Sequence, residues 1–278
     1  MKTLEKKKAP AQMIFTYEPK RGGVFCDEYK VAPWPNLIFR RQALLDLLKM
    51  VTPTHTTTVP RYLEFGYGTG VFLYEFYERG YDVTGYDLND NAPADSIFNA
   101  DRSRVNIIKS LDEIQKESFD VIGAYEVLEH IEDDADMLKQ WSAYLKKGGY
   151  ALFTVPARMK YWGAVDEQAG HVRRYERREL HDLLTNNGLS VLSIANAGYP
   201  FSNFISLVSN IIVHKKYVED KQEMDLQLRT INSGFERSRE FKLKKFVPFR
   251  IMQSLTSISR LFYNGDAGRV YAVAAKKM

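Results

Sequence analysis

The chain has one cysteine, Cys26, among its 278 residues, so no internal disulfide can form and a reducing cytosol is the expected compartment. Charge of one sign is also scarce. Thirty-nine Lys and Arg stand against 35 Asp and Glu, and a net charge of +4 makes no whole-chain case for a nucleic-acid partner. A secretory leader is not expected, because Met1 to Lys8 carries lysines with no apolar core behind them and reads as a disordered tail. The longest apolar-leaning stretch, Phe201 to Val213, is interrupted by Ser202, Asn203, Ser206, Ser209 and Asn210. It falls short of the roughly 20 residues that cross a bilayer, so no transmembrane helix is expected. Internal repeats and low-complexity tracts are missing as well.

What is present is a strand-like run, Tyr62 to Phe65, that leads into glycines at alternate positions, Gly66, Gly68 and Gly70, and then into an aromatic-rich helical stretch. Glycine tolerates positive φ and lacks the Cβ that would block close approach, while a following helix offers free N–H groups at its start. A second strand-like run, Tyr81 to Tyr86, ends at Asp87, whose carboxylate can accept both hydroxyls of a ribose. Together these describe a nucleoside site. The dinucleotide fingerprint would need glycine five positions after Gly66, where the chain has Val71, so pyrophosphate cofactors are disfavoured.

Glu64-Phe65-Gly66-Tyr67-Gly68-Thr69-Gly70 resembles the E-x-G-x-G-x-G motif of class I S-adenosylmethionine-dependent methyltransferases. The resemblance extends to Asp87, to Phe119-Asp120-Val121 running into Leu128-Glu129-His130, and to the Leu145-Lys146-Lys147-Gly148-Gly149 turn, across residues 60 to 157. It implies a Rossmann-like α/β fold with a seven-stranded, mostly parallel sheet, an antiparallel last strand and S-adenosylmethionine as cofactor. It also implies cofactor contacts from Glu64, Gly66, Tyr67, Gly68, Gly70, Asp87, Leu88, Ser110, Leu111, Tyr125 and Glu126. Tyr125 would lie beside the methionine part and Ser110 with Leu111 beside the adenine, although the usual acidic residue of that loop is not found.

The alternation of strand-like and helical runs from residue 62 to 195 fits a parallel sheet with helices on both faces. Residues 1–60 are read as a tail plus a helix from Asn36 to Val51 packing on the sheet edge, 61–197 with 269–278 as the core, and 198–268 as a helical lid. A strand is expected at Arg269 to Ala275. The stretch Glu236 to Arg260 interleaves Arg237, Arg239, Lys242, Lys244, Lys245 and Arg250 with Phe241, Phe246 and Phe249. Two readings stay open for it, a solvated helix face and a peripheral contact with an anionic membrane or a phosphorylated acceptor.

Methyl transfer asks only for in-line positioning and, at a hydroxyl acceptor, removal of a proton. Two segments qualify for that work. In the first, Glu126 and His130 stand four apart and share a face if the turn is helical, and His130 is either a base or a buttress of the turn. The second, Asp166-Glu167-Gln168-Ala169-Gly170-His171-Val172-Arg173-Arg174-Tyr175, resembles the D-E-x-x-G-H-x-R-R-Y segment of a bacterial subgroup encoded with polysaccharide, lipid or secondary-metabolite genes. There His171 is a candidate base, and Arg173 or Arg174 a candidate fork for an anionic acceptor, with Tyr175 beside them. The competing reading has one arginine stapling the loop through Asp166 or Glu167 while Tyr175 packs. No metal is expected. The implied acceptor is a small molecule methylated at a hydroxyl oxygen, a sugar, a lipid-linked compound or a secondary metabolite, anionic kinds included, with nitrogen and carbon acceptors left open. A nucleic-acid substrate is disfavoured, since no Asn/Asp-Pro-Pro-Tyr/Phe motif, catalytic Pro-Cys pair or RNA-binding module is found. A non-catalytic cofactor-binding adaptor is the reading from another class.

Overall fold

A computed structural model describes residues 15–18, 23–26, 35–51, 58–68, 70–88, 103–219 and 249–278 of the chain. The seven-stranded sheet is built from β3 (Arg61–Phe65), β4 (Asp82–Tyr86), β5 (Val105–Ile108), β6 (Phe119–Tyr125), β7 (Leu145–Pro156), β8 (Leu189–Asn196) and β9 (Val270–Lys277) in the order β5-β4-β3-β6-β7-β9-β8. Pairs β3–β4, β4–β5, β3–β6 and β6–β7 are parallel, and β9 runs antiparallel to both β7 and β8. A small antiparallel hairpin, β1 (Phe15–Glu18) with β2 (Gly23–Cys26), precedes it. The chain runs outward from β3 to β5 and then returns to the other side of β3, so the order reverses between β3 and β6. In open sheets of this kind that reversal parts the loops at the carboxyl ends of the two strands and leaves a crevice.

Successive strand residues point to opposite faces, and here both faces are covered, which is why the strands read as near-continuous apolar runs. Tyr62, Val83, Val121, Leu152, Ala272 and Ala274 belong to one buried cluster, with α1 (Pro35–Leu48) and α2 (Val71–Glu78). Leu63, Phe65, Ile122, Phe153, Val155 and Val273 belong to the other, with α3 (Asp134–Ser142) and α5 (Arg177–Asn186). The short helix α4 (Ala164–Ala169) follows β7.

Two expectations are corrected. The helix at residues 35–48 lies on the face of the sheet, not its edge, because Ala195, Ala197, Ala272 and Ala274 leave room there for Ala43, Leu44 and Leu47. Helix α3 ends at Ser142 and the strand already begins at Leu145. The Lys-Lys-Gly-Gly stretch is an irregularity within that strand, since Phe119 pairs with Leu145 while Val121 pairs with Tyr150, and Gly148 takes φ of 77°. Of the segment 198–268, the described parts are residues 198–219 with α6 (Phe201–Glu219) and residues 249–268 with α7 (Phe249–Arg260). Its basic and aromatic residues from Glu236 to Pro248 lie outside the described residues, as does the tail from Met1 to Lys8. Arg260 holds Asp46 of α1 through two hydrogen bonds of 2.7 and 3.0 Å.

Under the glycine turn the two central strands are fastened by aromatic contacts. The Tyr62 ring stacks on Phe76 of α2 with centroids 3.7 Å apart, and its hydroxyl lies 3.0 Å from that of Tyr125. Gly123 leaves the space in which these hydroxyls meet; a Cβ there would collide with both, 2.6 Å from Tyr125 Oη. The stack holds Tyr62 in place, so it cannot yield. Gly123→Ala should therefore destabilise the fold by about 1–3 kcal/mol through overpacking, read as a lower urea midpoint at unchanged slope.

Candidate active site

The turn after β3 is shaped by three left-handed glycines, with φ of 67° at Gly66, 50° at Gly68 and 71° at Gly70. Gly66 N donates to Tyr86 O at 2.7 Å, and Gly68 N donates to Asp87 Oδ2 at 2.8 Å, which ties the turn to the end of β4. A Cβ on Gly66 would stand 2.6 Å from Val127 Cγ2, so glycine is needed for the turn to pass the loop after β6. Among the described residues, a Cβ on Gly68 would meet nothing within 4 Å. Its positive φ favours glycine, packing among the described residues adds no further reason, and the space beside it fits a ligand laid against bare backbone.

Tyr67, Gly66, Gly68, Gly70, Asp87, Ser110, Leu111, Tyr125 and Glu126 all follow or end parallel strands and so gather at one edge of the sheet. Leu88 is there too, with its side chain 76% exposed. Ser110 caps a 3-10 turn, Leu111–Glu113, by accepting from Asp112 N at 3.2 Å. Glu64 differs from these: it is buried on β3, with Oε2 lying 3.2 Å from the Tyr62 hydroxyl. Burial pushes its pKa well above the usual 4.5, with the Asp87 charge acting the same way and the Tyr62 hydroxyl against it. The single Tyr62 hydroxyl proton cannot serve Glu64 and Tyr125 together. Two arrangements satisfy the row, a protonated Glu64 donating to Tyr62 while Tyr62 donates to Tyr125, or Tyr125 donating to Tyr62 while Tyr62 donates to an ionised Glu64, and the raised Glu64 pKa favours the first.

The pairing of Glu126 with His130 does not form. The turn after β6 is a three-residue 3-10 helix, Leu128–His130, and Glu126 sits before it with φ of 57°. Left-handed backbone at a non-glycine residue is strained and gathers at functional sites. Glu126 Oε2 stands 3.2 Å from Arg40 Nη2 of α1, while His130 Nδ1 lies 3.1 Å from Gly170 O. A three-residue turn lacks the further turn that would bring positions four apart together.

The Asp166–Tyr175 segment runs beside the end of β7, where Tyr175 N donates to Pro156 O at 3.0 Å and Arg158 N to Tyr175 O at 2.8 Å. It also touches the turn after β6, since Val172 N donates to Glu129 O at 2.9 Å. His171 is buried, with Nδ1 2.8 Å from Asp166 Oδ1 and Nε2 3.7 Å from Glu129 Oε1. Its ring meets that of His130 edge to face at 4.8 Å. Burial alone would raise the Asp166 pKa, but the hydrogen bond from His171 and the Arg174 guanidinium outweigh it and hold the carboxyl below its usual range.

The arginines and Tyr175 are bound into the scaffold. Arg174 Nη2 donates to Asp166 Oδ2 at 3.0 Å, and Nη1 donates to the carbonyls of Ala157 and Arg269 at 3.1 and 3.3 Å. Arg173 Nη1 donates to Asp134 Oδ2 at 2.8 Å, and the fully buried Tyr175 gives its hydroxyl to the same oxygen at 2.8 Å. Burial, with the Asp134 charge behind it, pushes the Tyr175 pKa far up. These contacts follow the stapling alternative: the forks are filled by the chain's own acceptors, so Arg173, Arg174 and Tyr175 are not placed to grip an acceptor.

A family model described as a methyltransferase domain matches residues 37–194, more than half of the chain. The chain belongs to that methyltransferase family. A ubiquinone biosynthesis O-methyltransferase of Acinetobacter baumannii (strain SDF) is 26% identical over 182 residues, covering 62% of this chain and 77% of the relative. The protein of that name from Idiomarina loihiensis is 32% identical over 126 residues, 43% and 52% of the two chains. Among solved structures, an S-adenosylmethionine-dependent methyltransferase from Mesorhizobium loti is similar with a TM-score of 0.51 at 14% identity, covering 84% of this chain and 98% of its own. Phosphoethanolamine N-methyltransferase 2 of Haemonchus contortus, in complex with S-adenosyl-L-methionine, is similar with a TM-score of 0.52 at 19% identity, covering 84% and 52%. At these identities the structural likeness speaks for the fold, the class I methyltransferase sheet.

Sequence reasoning gave no part to Arg40, which meets Glu126, or to the side chain of Glu129, which meets His171. Glu129 stood inside a quoted motif but carried no role, and Arg40 left no signal beyond one polar position on an amphipathic helix. The raised pKa of Glu64 gives a pH-dependent expectation. Its folded-state pKa lies above the unfolded one, so its stabilising contribution is complete below the unfolded value and is lost as pH rises toward the folded one. Glu64→Gln keeps the donor without the titration. The variant should gain thermal stability over the parent as pH rises from 5 to 8, by about 1–3 kcal/mol at the upper end. A melting-temperature difference that stays constant over that range would refute the protonated carboxyl.

Proposed function

We propose that this chain transfers the methyl group of S-adenosylmethionine to a hydroxyl oxygen of a small molecule, a sugar, a lipid-linked compound or a secondary metabolite. The observation that carries the reading is the placement of His171. The His171–Asp166 pair meets the turn after β6, which borders the glycine turn at Val127. The printed name of the Acinetobacter relative, an O-methyltransferase, supports an oxygen acceptor.

In this reading Gly66, Gly68 and Gly70 admit the cofactor to bare backbone, and Asp87 holds the ribose. Bound there, S-adenosylmethionine supplies an electrophilic methyl on a sulfonium. The chain has to place the acceptor oxygen in line with it and take that oxygen's proton. The centre formed by Glu129, His130, Asp166 and His171 is assigned to the proton. Asp166, held ionised, orients the imidazole through Nδ1 and leaves Nε2 facing the Glu129 side. Arg173, Arg174 and Tyr175 serve as struts that keep the loop against β7.

Two substitutions test the two halves separately. Asp87→Ala should weaken S-adenosylhomocysteine binding by about tenfold or more, roughly 1.4 kcal/mol, in calorimetric titration. His171→Ala should leave that affinity nearly unchanged and slow methyl transfer by about a hundredfold to ten-thousandfold. If the His171 variant turns over at the parental rate and loses only thermal stability, the proton role goes.

The segment 198–268 is proposed as a lid that walls the acceptor pocket. Supporting this, Asn210 of α6 accepts from Val165 N at 3.2 Å, so α6 lies on α4, the helix that carries Asp166. Phe204, Leu207 and Ile211 are exposed on α6 and offer an apolar wall. Replacing 198–268 by a short hairpin should spare S-adenosylhomocysteine binding and abolish transfer. Retained transfer would reassign the segment to another task.

A further inference from the structure

We propose that Glu129, His130 and His171 form a binding site for one divalent first-row transition ion, and that this ion receives the acceptor oxygen. One ligating atom from each of the three residues lies within 4.8 Å of the others. His171 Nε2 and Glu129 Oε1, at 3.7 Å, are only slightly wider apart than the about 3.4 Å expected for two ligands of a tetrahedral ion at 2.1 Å. Side-chain rotation has to close that gap and the wider spread of the three atoms, up to 4.8 Å, to the about 4.2 Å that two such bonds can span.

The second observation is independent of the first and concerns the other ring nitrogens. His171 Nδ1 is set against Asp166 Oδ1 at 2.8 Å and His130 Nδ1 against Gly170 O at 3.1 Å, one carboxylate and one backbone carbonyl. Those are the two kinds of outer partner that fix the tautomer of metal-bound histidines, so that Nε2 takes the ion. The third ligand, Glu129, is completely buried, where a carboxylate calls for a cation beside it. Two imidazoles and one carboxylate suit zinc, cobalt, manganese or iron in the divalent state, and three protein ligands leave positions open for substrate, as in catalytic sites.

The inference rests on the hydroxyl-methylation reading and changes the part His171 plays in it, from proton acceptor to ligand. Coordination lowers the pKa of a bound hydroxyl, so its proton leaves to solvent. A lone pair of the resulting oxygen then forms the new C–O bond as the methyl–sulfur bond breaks, its electron pair staying on sulfur. The competing arrangement is a protonated His171 bridging Asp166 and Glu129 with no metal.

The test uses the full chain, stripped with a chelator and titrated with cobalt(II) without any acceptor. The expected result is close to one ion per chain with visible d–d absorption from nitrogen and oxygen ligation. Glu129→Gln and the partly exposed His130→Gln should each weaken binding by about tenfold or more while S-adenosylhomocysteine affinity stays at the parental value. A parental chain that retains no ion after dialysis, or variants that bind cobalt as the parent does, overturns the site. Because cofactor affinity is measured in the same samples, loss of the metal proposal leaves the methyl-transfer reading standing, and failure of cofactor binding would count against that reading alone.

Discussion

The close approach of Gly66 to Val127 governs the architecture of the site. β3 and β6 are parallel neighbours from which the chain departs in opposite directions, and their outgoing loops must pass each other at the carboxyl edge. They do so at a distance that no side chain on Gly66 would allow. The close passage places the open turn around Gly68 beside the 3-10 turn carrying Glu129 and His130. A wider crossing would separate the part of the site that suits a nucleoside from the part that suits proton chemistry.

Asp166 performs the corresponding task on the other side. Its carboxylate accepts from Gly163 N at 2.9 Å, from His171 and from Arg174, so one buried anion joins the start of α4, the histidine and the guanidinium. Arg174 extends the connection to carbonyls at the end of β7 and the start of β9. A buried charge is tolerated when it is paired and hydrogen-bonded, and breaking such a set is costly. The position of His171 thus depends on contacts that reach two strands and a helix. That dependence explains why a loop dense in charged residues is held rigidly against the sheet.

The same edge carries two of the three left-handed non-glycine residues among the described residues, the third being Glu117 before β6. Glu126 and Arg158 take left-handed backbone at φ of 57° and 63°, one just beyond β6 and one just beyond β7, and Glu64 places a carboxyl in an aromatic setting. Elsewhere the pattern is consistent, with apolar residues alternating between two covered faces. Departures from local preference at the carboxyl edge are what a binding and reaction site asks of an otherwise well-packed sheet.

Much of this was legible in the residue order, because the signals were short in range. Strand periodicity, the glycine spacing from Gly66 to Gly70 and the acid at Asp87 each depend on a few neighbouring residues, and with the family resemblance those motifs carry they led to the sheet, its class and the expected cofactor edge. The Asp166–Tyr175 loop stood out by composition, yet its sorting into an oriented histidine and structural arginines depended on partners far along the chain: Asp134 for Arg173 and Tyr175, Ala157 and Arg269 for Arg174. The expected Glu126–His130 face failed for the opposite reason, since a three-residue turn cannot sustain a helical repeat. The gathering of Glu129, His130 and His171 has no spacing to betray it. The sequence by itself determined which strands and turns would form, through backbone sterics and apolar periodicity; only the tertiary structure decided which charged side chains meet, because a buried ion's partner is set by where the folded strands end.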